Sequence, residues 1–203
     1  MNKKVILTAI LTVVALIVLT LFSFGPLADK RASGKHNPES LQPQVTEPVP
    51  TSNQKIQYSS YHNKDMKENY YSVKIPQDWQ VSAGQKAGSY ALGFKQGNGQ
   101  VLLMDVPDNS TLELYILSRE EPRLKKVISG YKRIDYKKTS IQGNEAYQLT
   151  FQSNTGTLKQ IFTTYIAGPD QAVVIFFITN QDKFTQLMPI FTAITNSFAW
   201  ENK

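Results

Sequence analysis

Residues 172–179 read AVVIFFIT, a run in which only the final threonine is polar. β-Branched and aromatic residues dominate the run, and its length is typical of a strand rather than a helix. Successive side chains of a strand point to opposite faces, and here both sets are apolar. Both faces of such a strand must therefore be covered. The run therefore predicts the central strand of a β-sheet.

Three further segments with β character precede this strand, at residues 131–141, 145–152 and 157–167. The connections between them are short and rich in turn residues, namely Gly143-Asn144, Asn154-Thr155-Gly156 and Gly168-Pro169-Asp170. Such spacing predicts an antiparallel meander. Nearer the N-terminus, residues 70–75, 91–95 and 101–106 predict three more strands, with Gly97-Asn98-Gly99 as the turn between the last two.

Two helical regions complete the expected α+β domain. The sequence Ser110-Thr111-Leu112-Glu113 matches a capping box, in which the Ser110 hydroxyl accepts the N3 amide and Glu113 reaches back to the cap. Pro122 should interrupt this helix, with a second stretch running to about residue 128. A C-terminal helix containing Pro189 places apolar residues on one face: Phe184, Leu187, Met188, Phe191, Ile194 and Phe198.

The N-terminus predicts a membrane anchor. Lys3 and Lys4 precede residues 5–24, which carry no charge and would span a hydrocarbon core of about 30 Å as a helix. A cleaved signal peptide is the main alternative, but its apolar core is usually about 7–15 residues long and ends at a small-x-small site, which residues 24–29 do not supply. We expect residues 1–24 to be an uncleaved transmembrane signal anchor, with the C-terminal domain outside the cytoplasm. Cleavage and secretion, or a buried helix, remain open.

Residues 25–57 predict a disordered linker, because they contain five prolines among polar residues and few apolar ones. Residues 58–203 form the expected globular domain, long enough for one core. The net charge of +6 is shared between these parts, since the first 57 residues hold six basic and three acidic side chains. The remaining +3 is too weak to indicate a nucleic-acid partner.

Three segments of the domain resemble a known family. Residues 71–79 (YSVKIPQDW) form a strand ending in Pro-x-x-Trp, residues 143–151 (GNEAYQLTF) a turn and a strand, and residues 194–200 (ITNSFAW) a closing helix. Together they resemble the PsbP-like superfamily, which includes PsbP and Ran-binding import factors. The resemblance implies an α/β/α sandwich on an antiparallel sheet, a binding or assembly role without a catalytic motif, and here a membrane-anchored, exported prokaryotic member.

The residues themselves offer little chemistry. Cysteine is absent, and His36 and His62, the latter followed by Asp65, lack the nucleophile partner that a hydrolytic triad needs. Asp105, Asp108 and Asn109, or Glu120 and Glu121, would be calcium ligands only as part of a larger oxygen cluster, and a turn before a helix cap explains the first group better. We therefore predict no catalytic residue, metal site or cofactor.

A basic stretch is the candidate interaction site. Its members fall in sixteen residues with a single acid, Asp135. They are Arg123, Lys125, Lys126, Tyr131, Lys132, Arg133, Tyr136, Lys137 and Lys138. On a membrane-tethered domain, such a patch would bind anionic lipid headgroups, a surface polyanion or an acidic protein. The simpler explanation is solvated charge on a helix and an edge strand.

These features favour a non-catalytic binding or assembly module for a protein or envelope partner. A small-ligand carrier with a pocket between sheet and helices is the alternative, and a hydrolase that uses carboxylates alone is a third hypothesis. Trp79, Phe198 and Trp200 bear on the choice, because they would either pack the ends of the core or line a ligand cleft.

Overall fold

A computed structural model describes residues 56–63, 70–84, 88–155, 157–169 and 171–201. The predicted anchor, most of the linker, His36 and Asp65 lie outside the described residues. Within them, none of the helices combines the length and apolar character needed to cross a membrane.

The elements alternate in the order expected for an α+β domain. The strands are β1 (Tyr58–His62), β2 (Tyr70–Pro76), β3 (Gln80–Ala83), β4 (Tyr90–Phe94), β5 (Gly97–Asp105), β6 (Lys132–Ile141), β7 (Asn144–Thr155), β8 (Thr157–Ala167), β9 (Gln171–Asn180) and β10 (Ala199–Glu201). The helices are α1 (Leu112–Tyr115), α2 (Glu121–Val127) and α3 (Gln181–Asn196), and a π-helical segment at Ile116–Glu120 joins α1 to α2.

The seven-stranded antiparallel sheet has β9 at its centre, in the order β3-β4-β5-β9-β8-β7-β6. Residues 172–179 are all buried, as a strand covered on both faces requires. Val173, Ile175 and Phe177 point into the core cluster that contains α3 and the second sheet. The residues between them point to the opposite face, where α1 and α2 lie. The prediction of a central strand and a meander is confirmed.

A three-stranded sheet, β1-β2-β10, packs over the same face as α3. The sequence motif at residues 194–200 was expected to be helical to its end, and this is wrong. Helix α3 ends at Asn196, and Trp200 lies in β10, where it pairs with Tyr71 of β2. The Ser197 hydroxyl donates to the Ile194 carbonyl at 2.6 Å and accepts the Lys74 amide at 2.8 Å. It thereby closes the helix and aligns the chain with β2.

Aromatic rings fill the layer between the large sheet and α3. Phe177 and Phe191 stack with centroids 4.4 Å apart, and Trp79 stacks on Phe94 at 4.2 Å. Trp200 packs against this core and donates its indole N–H to the Ala167 carbonyl at 2.9 Å. The interpretation of the tryptophans as core residues is therefore confirmed.

Two predicted turns are displaced. Gly97-Asn98-Gly99 is the beginning of β5 and not a turn, because its glycines permit close approach to β9: a Cβ at Gly99 would lie 2.5 Å from the Phe176 carbonyl oxygen. The β6–β7 turn consists of Gln142 and Gly143, with φ of 50° and 80°. Two positive φ values in a two-residue loop are the pattern of a type I′ turn.

The first helix also differs from the expectation. Thr111, not Ser110, is the N-cap, and its hydroxyl accepts the Leu114 amide at 3.2 Å. Pro122 does not break the helix. It has no N–H to donate, and the ladder shifts to π-helical spacing just before it, with the Glu121 amide bonded to the Ile116 carbonyl. The helix therefore continues to Val127.

The close packing of Trp200 leads to a prediction for Gly168. A Cβ there would lie 2.2 Å from the Trp200 ring and 2.5 Å from the Gln171 carbonyl oxygen. We expect Gly168→Ala to lower the free energy of unfolding by about 1–3 kcal/mol, measured by urea denaturation. The control is Gly93→Ala, whose Cβ would meet only Gln80 at 3.6 Å. Equal urea midpoints of unfolding for the two variants would contradict the close contact of Gly168 with Trp200.

Candidate interaction surface

The predicted basic stretch is divided between a helix and the edge of the large sheet. Helix α2 carries Arg123, Lys125 and Lys126, and Tyr131 follows it. Strand β6 carries the remaining five, Lys132, Arg133, Tyr136, Lys137 and Lys138. Because β6 is the last strand of the sheet, its outer side has no neighbouring strand among the described residues. We call this side, over Lys132–Ile141, the open edge.

Alternation along β6 places the stretch on both faces of the sheet. Lys138 pairs with Tyr147, on the face covered by α1 and α2, whereas Lys137 pairs with Gln148, on the opposite face. A bulge between Arg133 and Asp135 interrupts the register. The nine residues therefore do not form one continuous patch.

Arg123 is directed inward and not toward a partner. Its Nε donates to Glu120 Oε2 at 2.9 Å, and Nη2 contacts the other carboxylate oxygen. The two side chains are only 15% and 9% exposed. A buried guanidinium with a bidentate carboxylate is a structural pair, because separating it would leave an uncompensated charge.

Glu121 joins helix α2 to the start of β6. Its carboxylate accepts the Tyr131 hydroxyl at 3.0 Å and Arg133 Nη1 at 2.9 Å, and Lys125 Nζ lies 3.3 Å away. Burial, followed by this hydrogen bond to Glu121, raises the pKa of Tyr131. Tyr131 also packs on Phe151, with ring centroids 5.0 Å apart. Glu121 thus lies against two of the seven cations of the stretch, Lys125 and Arg133.

A second pair of carboxylates, Glu113 on α1 and Glu145 near the β6–β7 turn, flanks Tyr147. Tyr147 lies between Glu113 Oε2, at 3.3 Å, and Glu145, to whose Oε1 it donates. This hydrogen bond is the main reason that the pKa of Glu145 is lowered. Lys138 lies 3.5 Å from Glu145 and over the Tyr147 ring. Tyr136 stacks on Tyr147, and burial first, then Glu113, raises the pKa of Tyr136 to about 12.

Three lysines of the stretch stay exposed and make no ion pair with another described residue. They are Lys126, Lys132 and Lys137. Ile134, in the bulge, is 46% exposed and lies in sequence between the last two. The cations of the predicted site that are both exposed and without an ion pair to a described residue are therefore Lys132 and Lys137 at the open edge, together with Lys126 on α2.

The other candidates from the sequence have structural surroundings. His62 Nδ1 lies 2.7 Å from Glu201 and joins the ends of β1 and β10 at the surface. Asp108 and Asn109 form the turn before α1. No group of three or more acidic or histidine side chains that could hold a metal ion occurs within the described ranges.

Two antiparallel sheets with α3 on one face and α1–α2 on the other define the PsbP-like fold, and the fold expected from the sequence resemblance is confirmed. Cyanobacterial PsbP from Synechocystis is 12% identical, with a TM-score of 0.56 over 77% of this chain and 99% of that one. LpqN of Mycobacterium tuberculosis, described as involved in cell envelope biogenesis, is 16% identical, with a TM-score of 0.56 over 72% of this chain and 92% of its own.

The Ran-binding protein Mog1p of Saccharomyces cerevisiae is 10% identical, with a TM-score of 0.50 over 71% of this chain and 96% of its own. The sequence matches no protein-family model and no curated protein. Identities this low establish the shared fold and nothing finer.

The role of Glu121 can be tested by removing its charge. We expect Glu121→Gln to lower the free energy of unfolding by about 1–3 kcal/mol, because Arg133 and Tyr131 lose a buried carboxylate. Glu145→Gln is the matched control, since Glu145 also accepts a tyrosine hydroxyl but is 43% exposed. We expect it to cost less than about 1 kcal/mol. Equal losses of unfolding free energy in the two variants, measured by urea denaturation, would show that the buried contacts of Glu121 contribute no more to stability than the exposed contacts of Glu145.

The lowered pKa of Glu145 gives a prediction for its titration. A carboxyl whose pKa is lower in the folded state stabilises the fold above its unfolded pKa, and this contribution is lost as the pH falls through the folded pKa. We expect Tyr147→Phe to raise the pKa of Glu145 toward the ordinary value of 4.5, because the donated hydrogen bond is lost. NMR titration of the labelled glutamate carboxyl measures it. An unchanged pKa in the variant would rule out the Tyr147 hydroxyl as the cause.

Proposed function

We propose that this chain is a membrane-anchored protein whose domain, residues 58–203, lies outside the cytoplasm and binds a protein or anionic envelope partner without catalysis. The observation that carries the proposal is the open edge, where β6 carries the exposed Lys132 and Lys137 and its outer side has no neighbouring strand among the described residues. The charge-free run at residues 5–24 supports the anchor, and Lys3 and Lys4, which precede it, favour the cytoplasm for that side of the run.

The named roles of two structural neighbours support a binding module. Mog1p is described as a Ran-binding protein, and LpqN as involved in cell envelope biogenesis. The described residues add a physical reason, since the two buried carboxylates, Glu120 and Glu121, are each engaged by arginine or tyrosine. A nucleic-acid partner is not proposed, because Glu120, Glu121 and Glu145 engage four of the cations in the basic stretch.

A small-ligand carrier needs space between the sheet and its covering helix. In the described part of the domain, this layer is occupied by Trp79, Phe94, Phe177 and Phe191, whose rings contact one another. Close-packed aromatic rings leave no room for a ligand of ordinary size. The observation favours the binding module over the carrier.

One experiment tests both the extracytoplasmic location of the domain and the open edge as its binding surface. The chain has no cysteine, so Ile134→Cys introduces a unique thiol beside the open edge. The full-length variant is treated, in cells with an intact cytoplasmic membrane, with a membrane-impermeant, thiol-directed photocrosslinker. We expect labelling, and after illumination a reproducible crosslink to one envelope component, identified by mass spectrometry.

The matched control is Ser82→Cys, an exposed position on β3 at the other edge of the same sheet. It should be labelled equally but should not give the crosslink. Adding Lys132→Glu and Lys137→Glu to Ile134→Cys should abolish the crosslink and leave labelling unchanged. Failure of both thiols to react would reject the extracytoplasmic location, and equal crosslinking from the two positions would reject the open edge as the binding surface.

A further inference from the structure

The two edges of the large sheet differ in length. Strand β3 presents four residues, whereas β6 presents ten. A long edge exposes a row of backbone N–H and C=O groups that another extended chain can pair with. Within the described ranges, no strand, helix or loop is paired to the outer side of β6.

The type I′ turn determines which groups of β6 face outward. In such a hairpin, the residues flanking the two-residue loop, here Ile141 and Asn144, form a hydrogen-bonded pair. Pairs alternate from there, so Ser140, Lys138 and Tyr136 occupy the non-hydrogen-bonded positions opposite β7. Their N–H and C=O groups therefore point to the open edge. The bulge between Arg133 and Asp135 ends this regular segment, so the pairing surface is Asp135–Ile141.

The charges of this segment select the occupant. Antiparallel pairing with a second copy of β6, centred on Lys137 or Lys138, would place lysine opposite lysine, which disfavours that pairing between copies. Lys138 is already near Glu145, but Lys137 is exposed on the opposite face and makes no ion pair with a described residue. Lysines protect an edge against neutral or basic strands, and the same lysines favour a strand that carries acidic side chains.

We propose that an extended, acidic segment of a partner protein pairs with Asp135–Ile141 and adds a strand to the large sheet. Main-chain hydrogen bonds from Tyr136, Lys138 and Ser140 hold the segment, and Lys137 and Lys132 select its acidic residues. This inference rests on the proposed function, since it assigns a binding mode to the same surface.

Ser140 offers a variant that separates main-chain pairing from charge. Ser140→Pro removes an outward N–H without removing a hydrogen bond to β7, and proline is tolerated at edge positions whose N–H faces solvent. The preceding residue, Thr139, is already in a strand, as a residue before proline requires. Ser140→Ala keeps the N–H and is the matched control.

The probe is a fluorescent peptide of about eight residues that alternates glutamate with valine or threonine and is blocked at both ends. Its binding to the full-length protein in detergent is measured by fluorescence anisotropy at low ionic strength. The companion probe has the same sequence with alternate amides N-methylated, so that charge is kept and strand pairing is lost.

We expect the first peptide to bind and the N-methylated peptide to fail. Ser140→Pro should weaken binding by about tenfold, because one hydrogen bond is lost and the ring obstructs the edge, whereas Ser140→Ala should change it by less than about twofold. Lys132→Glu with Lys137→Glu should also weaken binding. The circular dichroism and melting temperature of each variant are compared with those of the unchanged protein.

Strand addition is overturned if the N-methylated peptide binds as tightly as the unmodified peptide and the Ser140→Pro variant binds the unmodified peptide as tightly as Ser140→Ala does. In that outcome, loss of binding in the lysine variant would show a charge contact alone, and the proposed surface would stand. Absence of binding by the unmodified peptide would also overturn strand addition. The proposed function is decided separately by the crosslinks from position 134, which do not depend on how the partner pairs.

Discussion

Burial of β9 on both faces is the constraint on which this domain depends. Each of the residues 172–179 is removed from water, so apolar cover is required above and below the strand. On one face, α3 and the small sheet supply it, with Phe191 stacked on Phe177. On the other face, α1, the π-helical segment and α2 contribute the buried side chains of Leu112, Ile116 and Leu124, respectively. The layers of the fold are thus placed by what the central strand needs.

The same packing explains why the basic stretch is less available than its composition indicates. Covering the second face buries the carboxylates of Glu120 and Glu121, of which Glu120 pairs with Arg123 within the helical region and Glu121 joins α2 to β6 through Arg133. Buried carboxylates need cations or donors, which Arg123, Arg133 and Tyr131 supply. The helix reaches this position through the π-helical segment, which accommodates Pro122 without a break. Four of the seven cations of the stretch are therefore paired with carboxylates, and three lysines make no ion pair with a described residue.

Seven of the ten described strands, the meander and the central position of β9 could be predicted, because each depends on a local pattern of apolar residues. The short strands β1, β3 and β10 lack such a pattern and were not predicted. The capping box was misplaced by one residue, since Ser110 and Thr111 are chemically alike and only the bond from Leu114 distinguishes them. The strand pairing of Trp200 with Tyr71 could not be predicted, because it joins segments far apart in sequence. The same holds for the site: the basic residues are visible in the sequence, but the contact of Glu113 with Tyr147 follows only from the packing of α1 on β7.

The small sheet has a mechanical consequence. The domain begins in β1 and closes in β10, and both strands pair with β2 and not with the large sheet. A force applied to the chain at Ile56 would act first on the pairing of β1 with β2, beginning at the pair of Tyr58 with Pro76. Five residues of β1 could then be peeled from β2 while the hydrogen bonds of β5, β9 and β8 remain unloaded. A domain held by its N-terminal side would thus yield at a peripheral strand under tension and keep its central sheet intact.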